Sequence, residues 1–259
     1  MAKPKANEGL PARTSQEAWK CSLILIVLSI ATDRLYQVAF YFIPGARQWY
    51  WSPIGLVFHA SLQPSLWLAT VFWVMRTNSL RNVLRVTGLS AKPTLLGWFA
   101  ACALLGLSFL YLYWGQKLKF TSPPNSNSQL LFHSGELVRF IQIACLVALV
   151  PLYEEMTMRG FLYRAFRTSY GQTASTIIVL CVDGYFHWPQ ISHSLHWLAY
   201  WTIAQVLLCQ LRERTETTWN CILSHAAANA GLFLSWPVCV IGTLLLFPFC
   251  DRSYRLSPD

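Results

Sequence analysis

Apolar residues along this chain gather into runs of about twenty, the length at which a helix crosses a hydrocarbon core, with short polar stretches between them. The runs fall at residues 20–43, 53–75, 94–115, 138–167, 172–188, 195–211, 217–235 and 237–250. They predict an all-α, polytopic membrane protein of about eight transmembrane helices. The first run contains Asp33 and Arg34, adjacent residues that neutralise one another or snorkel, and the last is short enough for a partial or interfacial helix. One extended polar stretch, KFTSPPNSNSQLLFHSGE, is rich in Pro, Ser and Asn and separates three N-terminal helices from the rest. The expected organisation is a polar tail at 1–19, a three-helix region at 20–115, a polar loop at 116–136, a helix bundle at 137–250 and a tail at 251–259, with no internal repeat.

Composition changes this picture little: with 54% hydrophobic and 15% aromatic residues, no soluble domain of useful size remains. Charge adds orientation. The net charge of +9 would suit nucleic acid, but no basic helix or aromatic–basic interleaving accompanies it, and no nucleic-acid partner is expected. With the N-terminus in the cytoplasm, Lys3, Lys5, Arg13, Lys20, Arg76, Arg81, Arg85, Lys92, Arg164, Arg167, Arg212, Arg214, Arg252 and Arg255 all fall on that side. Only Arg47, Lys117 and Lys119 fall opposite, a positive-inside bias that puts both termini in the cytoplasm. The N-terminal tail is too long and too mixed in charge for a secretory signal, and the short chain without organellar signals points to a bacterial inner membrane. The eight cysteines stand singly in apolar segments, with no CxxC pair, and frame neither a metal site nor a disulfide network. Trp49 to Trp51 and Trp197 to Trp201 fit interfacial aromatic belts.

The polar residues that interrupt these helices carry the chemistry. Glu154, Glu155 and Arg159 lie inside an apolar run, where an ionised acid is costly and faces protein or water. At i and i+4, Glu155 and Arg159 pair directly, and Glu154 points to the adjoining side. His187 interrupts a second helix, and His225 with Asn229, again i and i+4, a third, on a face of Ala and Gly that admits a close neighbour. Counted at about 1.5 Å per residue from their cytoplasmic ends, Glu154, His187 and Asn229 stand at roughly 20, 22 and 18 Å, a common depth. A carboxylate in an apolar cavity is a usable general base near neutral pH. Glu154 taking a proton from a water shared with His187, with Asn229 donating to the oxyanion, would hydrolyse an amide. Ser224 beside His225 is no nucleophile, because successive helical residues diverge. Zinc is the rival reading, with Glu154, His187 and His225 as ligands, although HExxH is absent; the metal-free reading, without a cofactor, is preferred. A structural ion cluster in a scaffold, or a proton relay in a small transporter, is the non-hydrolytic alternative. His59, His133, His193 and His196 belong to no motif.

At these residues the chain resembles the CPBP superfamily of CAAX proteases and bacteriocin-processing enzymes, to which the Ras-converting endopeptidase belongs. EExxxR is intact at Glu154, Glu155 and Arg159, and HxxxN at His225 and Asn229, while FxxxH keeps His187 but has Asp183 at the Phe position. The resemblance covers about residues 137–235. It implies an intramembrane endopeptidase core in which Glu154 and His187 activate water, Asn229 forms the oxyanion hole, and Glu155, Arg159 and His225 support them. The partners it implies are the bilayer and a peptide or protein substrate that is prenylated, leader-bearing or C-terminally tagged. Asp183, one turn before His187, is placed to hydrogen-bond that imidazole.

Overall fold

The computed structural model describes residues 80–118, 135–192 and 194–250, with scattered positions between 23 and 69. The tails at 1–19 and 251–259, the loop at 116–136 and the first two expected spans lie wholly or in large part outside the described residues. The described elements are helices α1 (Leu80–Val86), α2 (Leu95–Lys117), α3 (Glu136–Ala144), α4 (Val150–Glu155), α5 (Tyr163–Ile191), α6 (Leu195–Thr215), α7 (Thr218–Phe233) and α8 (Trp236–Leu246). Two π-helical turns, Cys145–Leu149 and Met156–Leu162, join α3, α4 and α5 into one helical run, and no strand occurs among the described residues.

Gly171 decides the topology of that run. Its φ of 78° and ψ of 176° break the helix within α5, a conformation glycine adopts without steric cost. A straight helix would hold residues 154 and 187 about 50 Å apart, yet polar atoms of Glu154 and His187 lie within 4.8 Å of one another. The run is therefore an antiparallel hairpin with its tip at Gly171. Arg159 and Asp183, each twelve residues from that tip, come into register across it.

The pattern of exposure is inverted relative to a water-soluble fold. Phe140, Ile177, Trp188, Leu195, Ile203 and Leu245 are half or more exposed, whereas Glu155, Arg159, Asp183, Gln205 and Asn220 are buried. Lipid is the solvent that makes both placements favourable. Helix α2 and the run 136–188 are long and apolar enough to cross a membrane. The expected count of eight spanning helices is not reached among the described residues. At about 1.5 Å per residue, α7 spans roughly 24 Å and α8 roughly 16 Å, against a core of about 30 Å, and α6 carries Arg212, Glu213 and Arg214 in its final turn.

Helix α7 packs closely on α2, and small residues set the distance. Ser108 Oγ donates to the Ala228 carbonyl at 2.9 Å and meets Tyr200 Oη at 2.7 Å, and a Cβ on Gly231 would stand 2.8 Å from Ser108 Cβ. Ala228 and Gly231 of α7 thus lie against α2, while His225 and Asn229 face the segment 146–155. At the other end of the contact, Asn220 accepts from Thr94 N at 2.8 Å and donates to Thr94 Oγ1 at 2.9 Å, which ties α7 to the N-cap of α2. A Cβ on Gly97 would overlap the Asn220 amide. Gly97→Ala is therefore expected to displace Asn220 and to destabilise the protein by about 1–3 kcal/mol, read as a lower thermal midpoint in detergent. An unchanged midpoint would show that α2 and α7 pack less closely.

Candidate functional site

The site begins with a proline. Pro151 has no N–H and cannot continue the helical ladder. In the π turn before it, the Val150 N–H reaches back five residues to the Cys145 carbonyl. The Leu146 carbonyl, which residue 151 would serve in the same ladder, is met instead by Asn229 Nδ2 at 2.8 Å. The second π turn follows the acid pair, with the Tyr163 N–H bonded to the Met158 carbonyl. Glu154 and Glu155 thus sit on one short α-helical turn between two π turns, a distortion frequent at functional sites. Gly160, beside Arg159, lets this segment pass under the α1–α2 connection, since a Cβ there would stand 2.9 Å from the Thr87 carbonyl oxygen.

The two acids have different surroundings. Glu155 is fully buried, and its Oε1 accepts from Arg159 Nη1 at 3.0 Å and from His225 Nδ1 at 2.8 Å. Arg159, equally buried, also donates through Nη2 to Gln205 Oε1 and lies 3.8 Å from Asp183 Oδ2. Arg212 Nε donates to the Arg159 carbonyl at 3.2 Å, fixing the backbone beneath the guanidinium. Glu154 is looser. Its Oε1 accepts from the Tyr153 hydroxyl at 3.4 Å, and its Oε2 lies 3.8 Å from His225 Nε2. Across the hairpin, His187 Nδ1 stands 3.0 Å from the Asp183 carbonyl oxygen and 3.5 Å from Asp183 Oδ1.

The structure brings Glu154, Glu155, Arg159, His187 and His225 into one cluster. Asn229 is on the same face one turn beyond His225, and one of its amide hydrogens is already given to Leu146. The other is the donor left for a ligand. Among the described residues, a group whose ligand atoms lie within 4.8 Å of one another is Glu154, Asp183 and His187. His225 is not part of it; its Nδ1 meets Glu155 Oε1 and its Nε2 stands 3.8 Å from Glu154 Oε2. Two carboxylates and an imidazole suit a zinc-like cation, while the Arg159 guanidinium at 3.8 Å from Asp183 opposes a further positive charge there.

Gln205 and Arg212 belong to the site and were not singled out from the sequence. The available signal for Gln205 was a lone amide in the apolar run WTIAQVLLC, which is costly to bury without a partner. Arg212 gave none, since a basic residue in a last turn normally serves the helix dipole.

Comparison with known proteins adds one finding. Residues 136–231 match the family model described as type II CAAX prenyl endopeptidase Rce1-like. The match takes in every residue from Glu154 to Asn229 and leaves the N-terminal helices outside it. None of the curated proteins and none of the solved structures compared matches the chain.

Proposed function

Residues 136–231 match the Rce1-like CAAX prenyl endopeptidase family model, and from that match we propose that this integral membrane protein hydrolyses a peptide bond with a water activated by Glu154. The observation that carries the assignment is the division of labour between neighbouring acids. Glu155 is fully buried and held through Oε1 by Arg159 and His225, whereas Glu154 is loosely held and stands beside His187. A base must have a free lone pair and a partner to hold the water, and Glu154 has both.

In the reaction, the peptide carbonyl enters between the α4 turn and α7. Glu154 takes a proton from the water as its oxygen bonds to the carbonyl carbon. The remaining Asn229 N–H faces the developing oxyanion, and the Leu146 contact sets its direction. Glu155 orients His225 through Nδ1, and Arg159 with Gln205 holds Glu155 in place. The substrate class is a membrane-associated peptide, with a prenylated CAAX C-terminus the first to test; leader peptides and C-terminal tags are the alternatives.

A second reading follows from the grouping of Glu154, Asp183 and His187. These three would hold a divalent cation, which when bound supplies Lewis-acid activation of water. The experiment separating the two uses purified protein in nanodiscs and a farnesylated, quenched-fluorescent peptide ending in a CAAX sequence. Cleavage is expected, and it is expected to survive exhaustive treatment with 1,10-phenanthroline and EDTA. Loss on chelation with recovery on adding zinc would replace the metal-free reading with the second. Failure of the untreated protein to cleave the peptide would reject a CAAX substrate.

A further inference from the structure

Asp183 is a buried acid that the reaction above leaves without a task. It is 1% exposed, and its Oδ2 has no hydrogen-bond partner. A buried carboxylate oxygen left in that state requires an explanation. Arg159 and Glu154 from the other arm of the hairpin, and the ring of Trp201 from α6, face it or its neighbour His187. Arg159 anchors the carboxylate from one side at 3.8 Å, and His187 lies on the other at 3.5 Å.

The His187 ring is held independently of that carboxylate. Its Nδ1 is 3.0 Å from the backbone carbonyl of residue 183, which sets the Nδ1–H tautomer whatever the side chain there. Trp201 covers the ring at a centroid distance of 6.0 Å and an interplanar angle of 37°. Gly184 permits that approach, since a Cβ there would stand 3.2 Å from the indole. Orientation is therefore already provided. What the Asp183 side chain adds is negative charge behind the Nδ1 edge, leaving Nε2 for the reaction.

We infer that Asp183 is a positioning residue that makes His187 the proton donor to the leaving nitrogen. The inference rests on Glu154 being the base. Glu154 takes one water proton as the oxygen–carbon bond forms. His187, carrying a proton on each ring nitrogen, gives the Nε2 proton to the amide nitrogen as the carbon–nitrogen bond breaks. Transfer of the proton held by Glu154 to Nε2 then restores both groups, so the products are one carboxylic acid and one amine, with no co-reactant. The Asp183 carboxylate balances the charge of the ring while it holds both protons, the role an acid behind a catalytic imidazole plays elsewhere.

A leaving-group comparison tests this. An amide needs its leaving nitrogen protonated, and an ester at the same position depends on that far less. Asp183→Asn is expected to lower kcat on the farnesylated peptide about 100-fold with KM little changed, and to lower cleavage of its ester analogue by less than about 5-fold. Asp183→Glu should recover part of the loss, and Asp183→Asn should cost nothing further in a His187→Ala background. Equal losses on amide and ester, additive losses with His187→Ala, or full kcat in Asp183→Phe would each overturn the inference. If Asp183→Asn folds poorly, Asp183→Glu and Asp183→Phe carry the same amide-to-ester comparison. Glu154→Gln separates the two levels: if it stays active the base assignment falls, and if it is inactive while Asp183→Asn shows equal losses, only the role of Asp183 falls.

Discussion

Glu154→Gln should abolish turnover while leaving the protein as stable as the wild type, with kcat reduced by about 10³-fold or more. The size follows from the role. An amide cannot accept the water proton, so general-base catalysis is lost entirely, and the residual rate comes from substrate positioning and the Asn229 donor. The preserved stability follows from the contacts. Glutamine has the shape of glutamate, and the contacts of Glu154 are loose, at 3.4 Å from the Tyr153 hydroxyl and 3.8 Å from His225. A change in stability within about 0.5 kcal/mol is expected, as at sites outside any tight network. Glu155→Gln is the contrasting control. It removes the carboxylate that both Arg159 and His225 bond, so it should lower the thermal midpoint as well as the rate. Peptide cleavage and thermal unfolding, measured on both variants, distinguish the neighbours. Were Glu154→Gln active within tenfold of wild type and Glu155→Gln inactive but fully stable, the base would be Glu155.

Much of this arrangement was readable before any coordinates because membrane burial makes polar residues conspicuous. Glu155 with Arg159, and His225 with Asn229, stand out as i, i+4 pairs in apolar runs, and equal depth brought Glu154 and His187 together. Equal depth puts Glu154 beside His187 when the chain turns between 167 and 172, and Gly171 supplies that turn. The remainder depended on contacts between distant segments. Pro151 is visible in the sequence, but nothing local says that the carbonyl it leaves unserved will be capped by Asn229. Gln205 became part of the site only because α6 lies against the hairpin, where Arg159 has a donor to spare. The presence of Asp183 in the cation-compatible group has the same origin, since the hairpin sets it beside Glu154. The number of spans is less legible for a different reason. An apolar run reads alike whether or not all of it is helix crossing lipid, and of the run 217–235 the helix α7 takes sixteen residues, packed on α2.

Arg159→Met should be the most destabilising single change in the cluster, costing about 3–5 kcal/mol. Its guanidinium is the shared counter-charge for Glu155 and Asp183 and the donor to Gln205. Deleting it leaves two buried carboxylates without their cation and an amide oxygen without its donor, and water has no easy route to them. Arg159→Lys keeps the charge but not the planar fork, and should recover only part of the loss, because one ammonium cannot reach Glu155 and Gln205 with the same geometry. The informative variant is the double change Glu155→Met with Arg159→Met. Removing both members of a buried pair spares the cost of stranding either one, so the double variant should be more stable than Arg159→Met alone, a coupling that thermal unfolding in detergent will show. Activity should not return with it. His225 Nδ1 loses the acceptor that orients the ring, and Asp183 still lacks the guanidinium that anchors it. Stability recovered without turnover would mean that the ion pair serves to aim His225 rather than to hold the helices together. Wild-type stability in Arg159→Met itself would mean that the cluster is open to water and that the dry cavity required by the proposed chemistry does not exist.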